Sequence, residues 1–156
     1  MPESSNFNVL VTGVGGDIGQ SIIKCIRSGF DSAVIVGTDI DKYAAGASKV
    51  DRFYLVPLAS DSSYIDSIRT IASEESINVI IPSTEIEISV LCNHQKEHND
   101  HFKVMINKPE IISTFFDKFS TVSFLAKNNL PFPRTFLLDD FNGQIDYPFL
   151  IKLRRG

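Results

Sequence analysis

Short β-branched and aliphatic runs alternate along the first hundred positions with segments whose apolar residues recur at helical spacing. Phe7-Asn-Val-Leu-Val-Thr12, closed by glycines, predicts a buried parallel strand. After Gly13–Gly19, apolar residues at Ile18, Ile22, Cys25 and Ile26 mark one face of a helix. Ala33-Val-Ile-Val-Gly-Thr38 predicts a second strand, with Asp39 and Asp41 in the loop beyond it. Phe53-Tyr-Leu-Val56 predicts a third, stopped by Pro57, and Val79-Ile-Ile81 a fourth, closed by Pro82. Between these two, Tyr64, Ile65, Ile68, Ile71 and Ala72 repeat at helical spacing.

The segment after Pro82 carries two signals. Ile86, Ile88 and Val90 alternate with Glu87 and Ser89, which taken alone predicts a strand. Thr84 and Glu87 form a T-x-x-E capping box ahead of a polar tail, and on that ground the segment is read as a helix. Lys103-Val-Met-Ile106 predicts a fifth strand. Pro109 opens a short helix to about Thr114, and a second runs from Asp117 to about Asn128 with Phe119, Val122 and Leu125 on one face. Strands separated by helices or crossovers imply an α/β fold, a parallel sheet with helices on both faces. Thr135–Leu138 and Pro148–Lys152 then read as two strands without a crossover helix, so a second domain is expected from about residue 116.

Composition narrows the function. The chain has 156 residues and a net charge of −4, which argues against nucleic-acid and anionic-membrane partners, both of which need a basic excess. No apolar run approaches the ~18 residues of a membrane span, and the Met1–Ser5 start does not read as a signal peptide. Cys25 and Cys92 lie in apolar stretches and are expected as small core residues in a reducing cytoplasm. Charge is uneven: residues 1–100 hold 7 basic and 14 acidic side chains, residues 101–156 hold 8 and 5. Anion-handling groups are therefore expected late in the chain, although surface scatter gives the same count.

Among the motifs, Gly13, Gly16 and Gly19 give G-x-x-G-x-x-G between a strand and a helix, with Gly15 as an extra. Such a loop allows close backbone approach to a ligand and offers a helix N-terminus; it also simply permits the turn. It is not a phosphate-binding G-x-x-x-x-G-K loop, since Gln20 stands where the lysine belongs, and Ile18 breaks the strict G-x-G-x-x-G spacing. Asp39, about 20 residues on, stands where a dinucleotide site places an acid on the ribose, or is only the polar end of a strand. That leaves an NAD(P)-binding epimerase or dehydrogenase domain as the alternative, weakened because no tyrosine is followed four residues later by lysine. His94 and His98, with His101 beyond, have metal-ligand spacing, but their polar neighbours read as a solvated helix end. Lys118, Lys152, Arg154 and Arg155 could neutralise a polyphosphate; singly they read as surface cations.

Taken in order, the motifs resemble the N-terminal part of an ATP-grasp enzyme of the carbamoyl-phosphate-synthase-like, carboxylate–amine ligase branch. The matching pieces are Val9–Gln20, Val36-Gly-Thr-Asp39, Ala44-Ala-Gly46, Phe53–Pro57, Val79-Ile-Ile-Pro-Ser-Thr-Glu85, Asp117-Lys118, Leu130–Thr135 and Tyr147–Gly156. The resemblance implies a Rossmann-like five-stranded parallel sheet of order 3-2-1-4-5 over residues 1–115, then the first helix and strands of an ATP-grasp domain over 116–156. It implies ATP contacts at Lys118 and Lys152, although Leu153 replaces the proline usual after that second lysine. It places Gly13, Gly15, Gly16, Asp17, Gly19 and Glu85 on the side of the acceptor or acyl substrate. The family's glycine-rich phosphate loop, adenine hinge and Mg2+-binding acids would all follow residue 156. The chain is accordingly expected to end inside an ATP-grasp domain, as a cut piece or half of a split gene. ATP and Mg2+ would serve the longer protein, and no cofactor is expected to bind tightly here. The expected partners are a small-molecule substrate and the remaining ATP-grasp domain; a second copy is compatible with the sequence.

Overall fold

The computed structural model describes residues 7–97 and 100–155. Contacts group the chain into two compact units, divided between Ile106 and Asn107. In the first unit five strands form one all-parallel sheet: β1 (Asn8–Thr12), β2 (Val34–Asp39), β3 (Arg52–Leu55), β4 (Val79–Ile81) and β5 (Lys103–Val104). The order is β3-β2-β1-β4-β5, as expected. The fifth strand is two residues long where the sequence pattern suggested four.

Alternation along the central strands splits the core in two. Leu10, Val36, Ile80 and Val104 face helices α2 (Tyr64–Glu74) and α3 (Glu85–Glu97) and pack with Tyr64, Ile68, Ile71 and Leu91. Val9, Val11 and Ile35 point the other way, against helix α1 (Asp17–Gly29), and pack with Ile23 and Ile26. The expected inner face of α1 is corrected. Gly19, Ile23 and Ile26 are buried, whereas Ile18 and Cys25 are exposed. The cause is a close approach: a Cβ on Gly19 would lie 2.5 Å from the Gly13 carbonyl oxygen. The absent side chain lets the helix sit down along the Gly19 line, which turns Ile18 and Cys25 outward. With Ile22, Phe30, Ile81 and Met105 they line an apolar groove. Cys92, by contrast, is buried as expected.

At the opposite end of the sheet, His94 is buried rather than solvated, which corrects the reading of that stretch. Its Nε2 lies 2.6 Å from Asp100 Oδ2, and Arg69 Nε donates to Asp100 Oδ1 at 3.1 Å. Burial pushes the Asp100 carboxyl up, but the His94 hydrogen bond and the Arg69 charge outweigh it and hold the group below the usual aspartate range. His101 Nε2 lies 3.4 Å from the Ala72 carbonyl oxygen. His98 falls outside the described residues. Among the described residues, no group of His, Cys, Asp or Glu could hold a metal ion.

The second unit contains helix α4 (Pro109–Phe115), opened by its proline, and helix α5 (Lys118–Lys127). Asp117 caps α5, its carboxylate accepting the Ser120 N–H at 2.9 Å. The strands expected at Thr135–Leu138 and Pro148–Lys152 are not formed. Both segments are irregular, and Leu138–Asp140 makes a 3-10 turn. A strand is stabilised by its ladder, and two short ones without further neighbours make a marginal pair. No helix among the described residues is long and apolar enough to cross a membrane.

Candidate functional site

The turn after β1 and the turn after β4 lie side by side at the carboxyl ends of the strands. Here the chain's winding reverses between β1 and β4, the place where open parallel sheets form a crevice. Gly13 begins the first turn at φ +60°, and a Cβ there would lie 2.6 Å from Ser83 Oγ and 3.2 Å from Glu87 Oε2. Backbone conformation and space both demand glycine at that position. Ser83 Oγ in turn donates to the Gly13 carbonyl at 3.1 Å. The two turns are thus tied together directly.

Three consecutive backbone donors of the loop, at Val14, Gly15 and Gly16, are spent inside the chain. Val14 N–H donates to the Thr38 carbonyl at 3.2 Å and Gly16 N–H to the Gly13 carbonyl at 3.2 Å. Gly15 N–H donates to Asp39 Oδ2 at 2.7 Å, while Asp39 Oδ1 accepts the Asp41 N–H at 3.0 Å. A Cβ on Gly15 would lie 2.9 Å from that Asp39 oxygen. Asp39 therefore braces the glycine loop, with both oxygens engaged by backbone amides. An acid that a dinucleotide site would direct at the ribose is thus spent on the loop's own backbone.

Asp17 and Glu85 are exposed first residues of α1 and α3, on either side of this crevice. Gly16 caps α1 without a side-chain bond. The six residues expected on the substrate side are thus gathered at one end of the sheet. A seventh went unread as a site residue. Glu87, buried under the crevice, accepts from Thr12 Oγ1 at 2.8 Å, Thr84 Oγ1 at 2.8 Å and the Tyr64 hydroxyl at 3.1 Å. Thr12 Oγ1 itself accepts the Ser83 N–H at 3.4 Å, and Thr84 Oγ1 accepts the Glu87 N–H at 3.3 Å. Amide protons point at hydroxyls, and hydroxyl protons point at the carboxylate. Burial, followed by the Glu87 charge, pushes the Tyr64 phenol well up, so it remains an O–H donor. The T-x-x-E spacing was the available signal for this network. Its glutamate holds the cap hydroxyl and two neighbouring elements.

In the second unit, Lys118 is the exposed first residue of α5, and Lys152 is exposed in the final irregular segment. Lys118 N–H donates to the Arg154 carbonyl at 3.0 Å, which fastens that segment to the start of α5. Asp117 Oδ2 pairs with Arg154 Nη2 at 2.7 Å and lies 3.7 Å from Arg155 Nε. The Ser120 N–H, then Arg154, hold the Asp117 carboxyl below the usual aspartate range.

A parallel five-stranded sheet with a braced glycine turn at its switch point defines a Rossmann-like α/β domain. The family model for the PylC-like N-terminal domain matches residues 9–106, and the chain belongs to that family. No curated protein matches it. Among solved structures, it is similar to N5-carboxyaminoimidazole synthetase from Staphylococcus aureus, with TM-score 0.58, 13% identity, and coverage of 80% of this chain and 31% of that one. The biotin carboxylase domain of a thermophilic 2-oxoglutarate carboxylase, bound to ADP, gives TM-score 0.57, 15% identity, and coverage of 80% and 28%. The Hydrogenobacter thermophilus 2-oxoglutarate carboxylase domain, a dimer in complex with MgADP, ADP and bicarbonate, gives 0.55, 15%, 80% and 28%. At such identities the likeness is one of fold. The chain spans under a third of the length of these structures. The resemblance to the N-terminal region of ATP-grasp enzymes therefore holds in family and in fold.

Proposed function

We propose that this chain is the substrate-side N-terminal region of an ATP-grasp ligase, which activates a carboxylate with MgATP as an acyl phosphate and transfers it to an amine. The observation that carries the reading is the braced glycine loop. Asp39, the acid that a dinucleotide site would direct at the ribose, has both oxygens engaged by backbone amides, and Val14, Gly15 and Gly16 spend their N–H groups inside the chain. That counts against the NAD(P) alternative. The second unit instead exposes Lys118, Lys152 and Arg155, with Arg154 paired to Asp117, cations that suit a triphosphate.

In this reading Lys118 and Lys152 bind the nucleotide. Gly13, Gly15, Gly16, Asp17 and Glu85 form the wall facing the acceptor or acyl substrate, and buried Gly19 seats α1 behind it. ATP would supply the phosphoryl group that turns a carboxylate into a mixed acyl-phosphate anhydride, with ADP released, and phosphate then leaves as the amine attacks the acyl carbon. The described residues do not fit Mg2+: among them no acidic cluster is open to a metal, and Asp117 is engaged by Arg154. Metal ligands and turnover belong in this reading to further ATP-grasp chain, in the same or a separate polypeptide. Ile18, Ile40, Tyr43, Leu58, Ile86 and Met105 are exposed in the segments that follow the strands, an apolar rim suited to such a partner.

The test is nucleotide affinity in a protein that contains this chain and the rest of an ATP-grasp domain. Lys118→Ala and Lys152→Ala should each weaken MgATP binding by about tenfold or more, the loss of a charge-assisted contact of ~1.5–3 kcal/mol. Unchanged affinity in both variants would overturn the assignment.

A further inference from the structure

One carboxylate in the second unit has two separate tasks. Asp117 Oδ1 caps α5 through the Ser120 N–H, which requires only an oxygen acceptor. The same group receives Arg154 Nη2 at 2.7 Å and Arg154 Nε at 3.3 Å, across 37 residues of chain. The Arg154 guanidinium also lies 5.8 Å from the centre of the Phe119 ring, and the Arg154 carbonyl accepts the Lys118 N–H at 3.0 Å. Side chain and backbone of Arg154 are thus both fastened to the first turn of α5. Lys152 precedes Arg154 by two residues, so their Cα atoms are at most about 7 Å apart. That tether keeps the Lys152 backbone close to Lys118, within the combined reach of two lysine side chains.

We propose that Asp117 is a positioning residue of the phosphate site: it pins the Arg154–Arg155 turn to the start of α5 and so presents Lys118 and Lys152 to a single polyphosphate. This rests on the nucleotide reading of those two lysines. It also makes a prediction opposite in sign to simple charge. An acid beside a phosphate site repels the phosphate, so removing its charge should tighten anion binding. If the acid holds the cations in place, removing its charge loosens them and binding weakens.

The Asp117→Asn variant separates the tasks, because asparagine caps a helix about as well as aspartate but cannot pair ionically with arginine. The chain itself would be titrated with inorganic tripolyphosphate at low ionic strength, with binding followed through amide chemical shifts, which detect millimolar affinities. Asp117→Asn should weaken binding at least threefold and leave the melting temperature within a degree or two. It should also raise the exchange rate of the Lys118 amide at least tenfold, because its acceptor at Arg154 is released. If Lys118→Ala and Lys152→Ala weaken binding while Asp117→Asn binds equally or more tightly, the inference is overturned and the nucleotide reading stands. Should the wild-type chain not bind, or both lysine variants bind as wild type, the nucleotide reading falls and the inference with it. An unchanged Lys118 exchange rate would separately refute the tether.

Discussion

Glu87 shows how one side chain can organise a site it does not openly line. Three hydroxyls, on Thr12, Thr84 and Tyr64, direct their protons at its two oxygens. Two of those hydroxyls already accept a backbone N–H and have no simple way to turn round. Glu87→Ala would leave two buried donors, the hydroxyls of Thr12 and Tyr64, without an acceptor, each costing about 1–3 kcal/mol. A loss of at least ~2 kcal/mol in urea unfolding is expected, with Glu87→Gln less affected because one acceptor oxygen remains. A loss below ~0.5 kcal/mol for the alanine variant would mean the network contributes little. The alternation of Ile86, Ile88 and Val90, taken alone, predicts a strand with Glu87 on the face opposite the apolar residues. Instead Ile86 is exposed and Glu87 buried, because three donors outweigh the cost of burying a carboxylate. Periodicity weighs apolar side chains by transfer energy and has no term for a hydroxyl supplied 75 residues away. For the same reason Asp39 was legible as a position but not as a role. Its partner, the Gly15 amide, belongs to the loop thought to bind the ligand.

Secondary elements were legible where burial alone decides them. The five strands and helices α1 and α2 of the first unit follow from apolar runs and repeats, since both faces of a parallel sheet must be covered, whereas α3 was legible only from its capping box. The face of α1 was not, because a glycine carries no hydrophobic signal, yet the missing Cβ at Gly19 sets how the helix packs. The segments at Thr135–Leu138 and Pro148–Lys152 have strand composition, but pairing is a property of neighbours rather than of the segment. At the other end of the sheet, Asp100 links α2 and α3 through Arg69 and His94, and this link should be sensitive to acid. Its folded pKa is depressed, so its stabilisation is present above about pH 4 and is lost as pH falls through the folded value. Asp100→Asn should therefore lower stability at neutral pH and flatten the decline between about pH 4 and pH 2. Parallel acid limbs for variant and wild type, measured by thermal melts across that range, would show that Asp100 is not responsible.

At the scale of the whole molecule, the proposed phosphate site belongs to the second unit and not to the glycine turn, where a Rossmann-like sheet would ordinarily carry it. The glycine turn sits at the switch point but is closed by its own aspartate, while the cations are concentrated in the second unit. The charge asymmetry of the sequence, with its basic excess after residue 100, runs in the same sense. The braced turn could not be read, since the same glycine spacing serves an open nest and a closed one. Titrating the chain separately with NADH and with MgATP, and mapping amide shifts residue by residue, tests the division most directly. MgATP should move the signals of Lys118 and Lys152 and leave Gly13–Gly19 still, and NADH should shift none of them. Saturable NADH shifts centred on Gly13–Gly19, with Lys118 and Lys152 unmoved by MgATP, would contradict it.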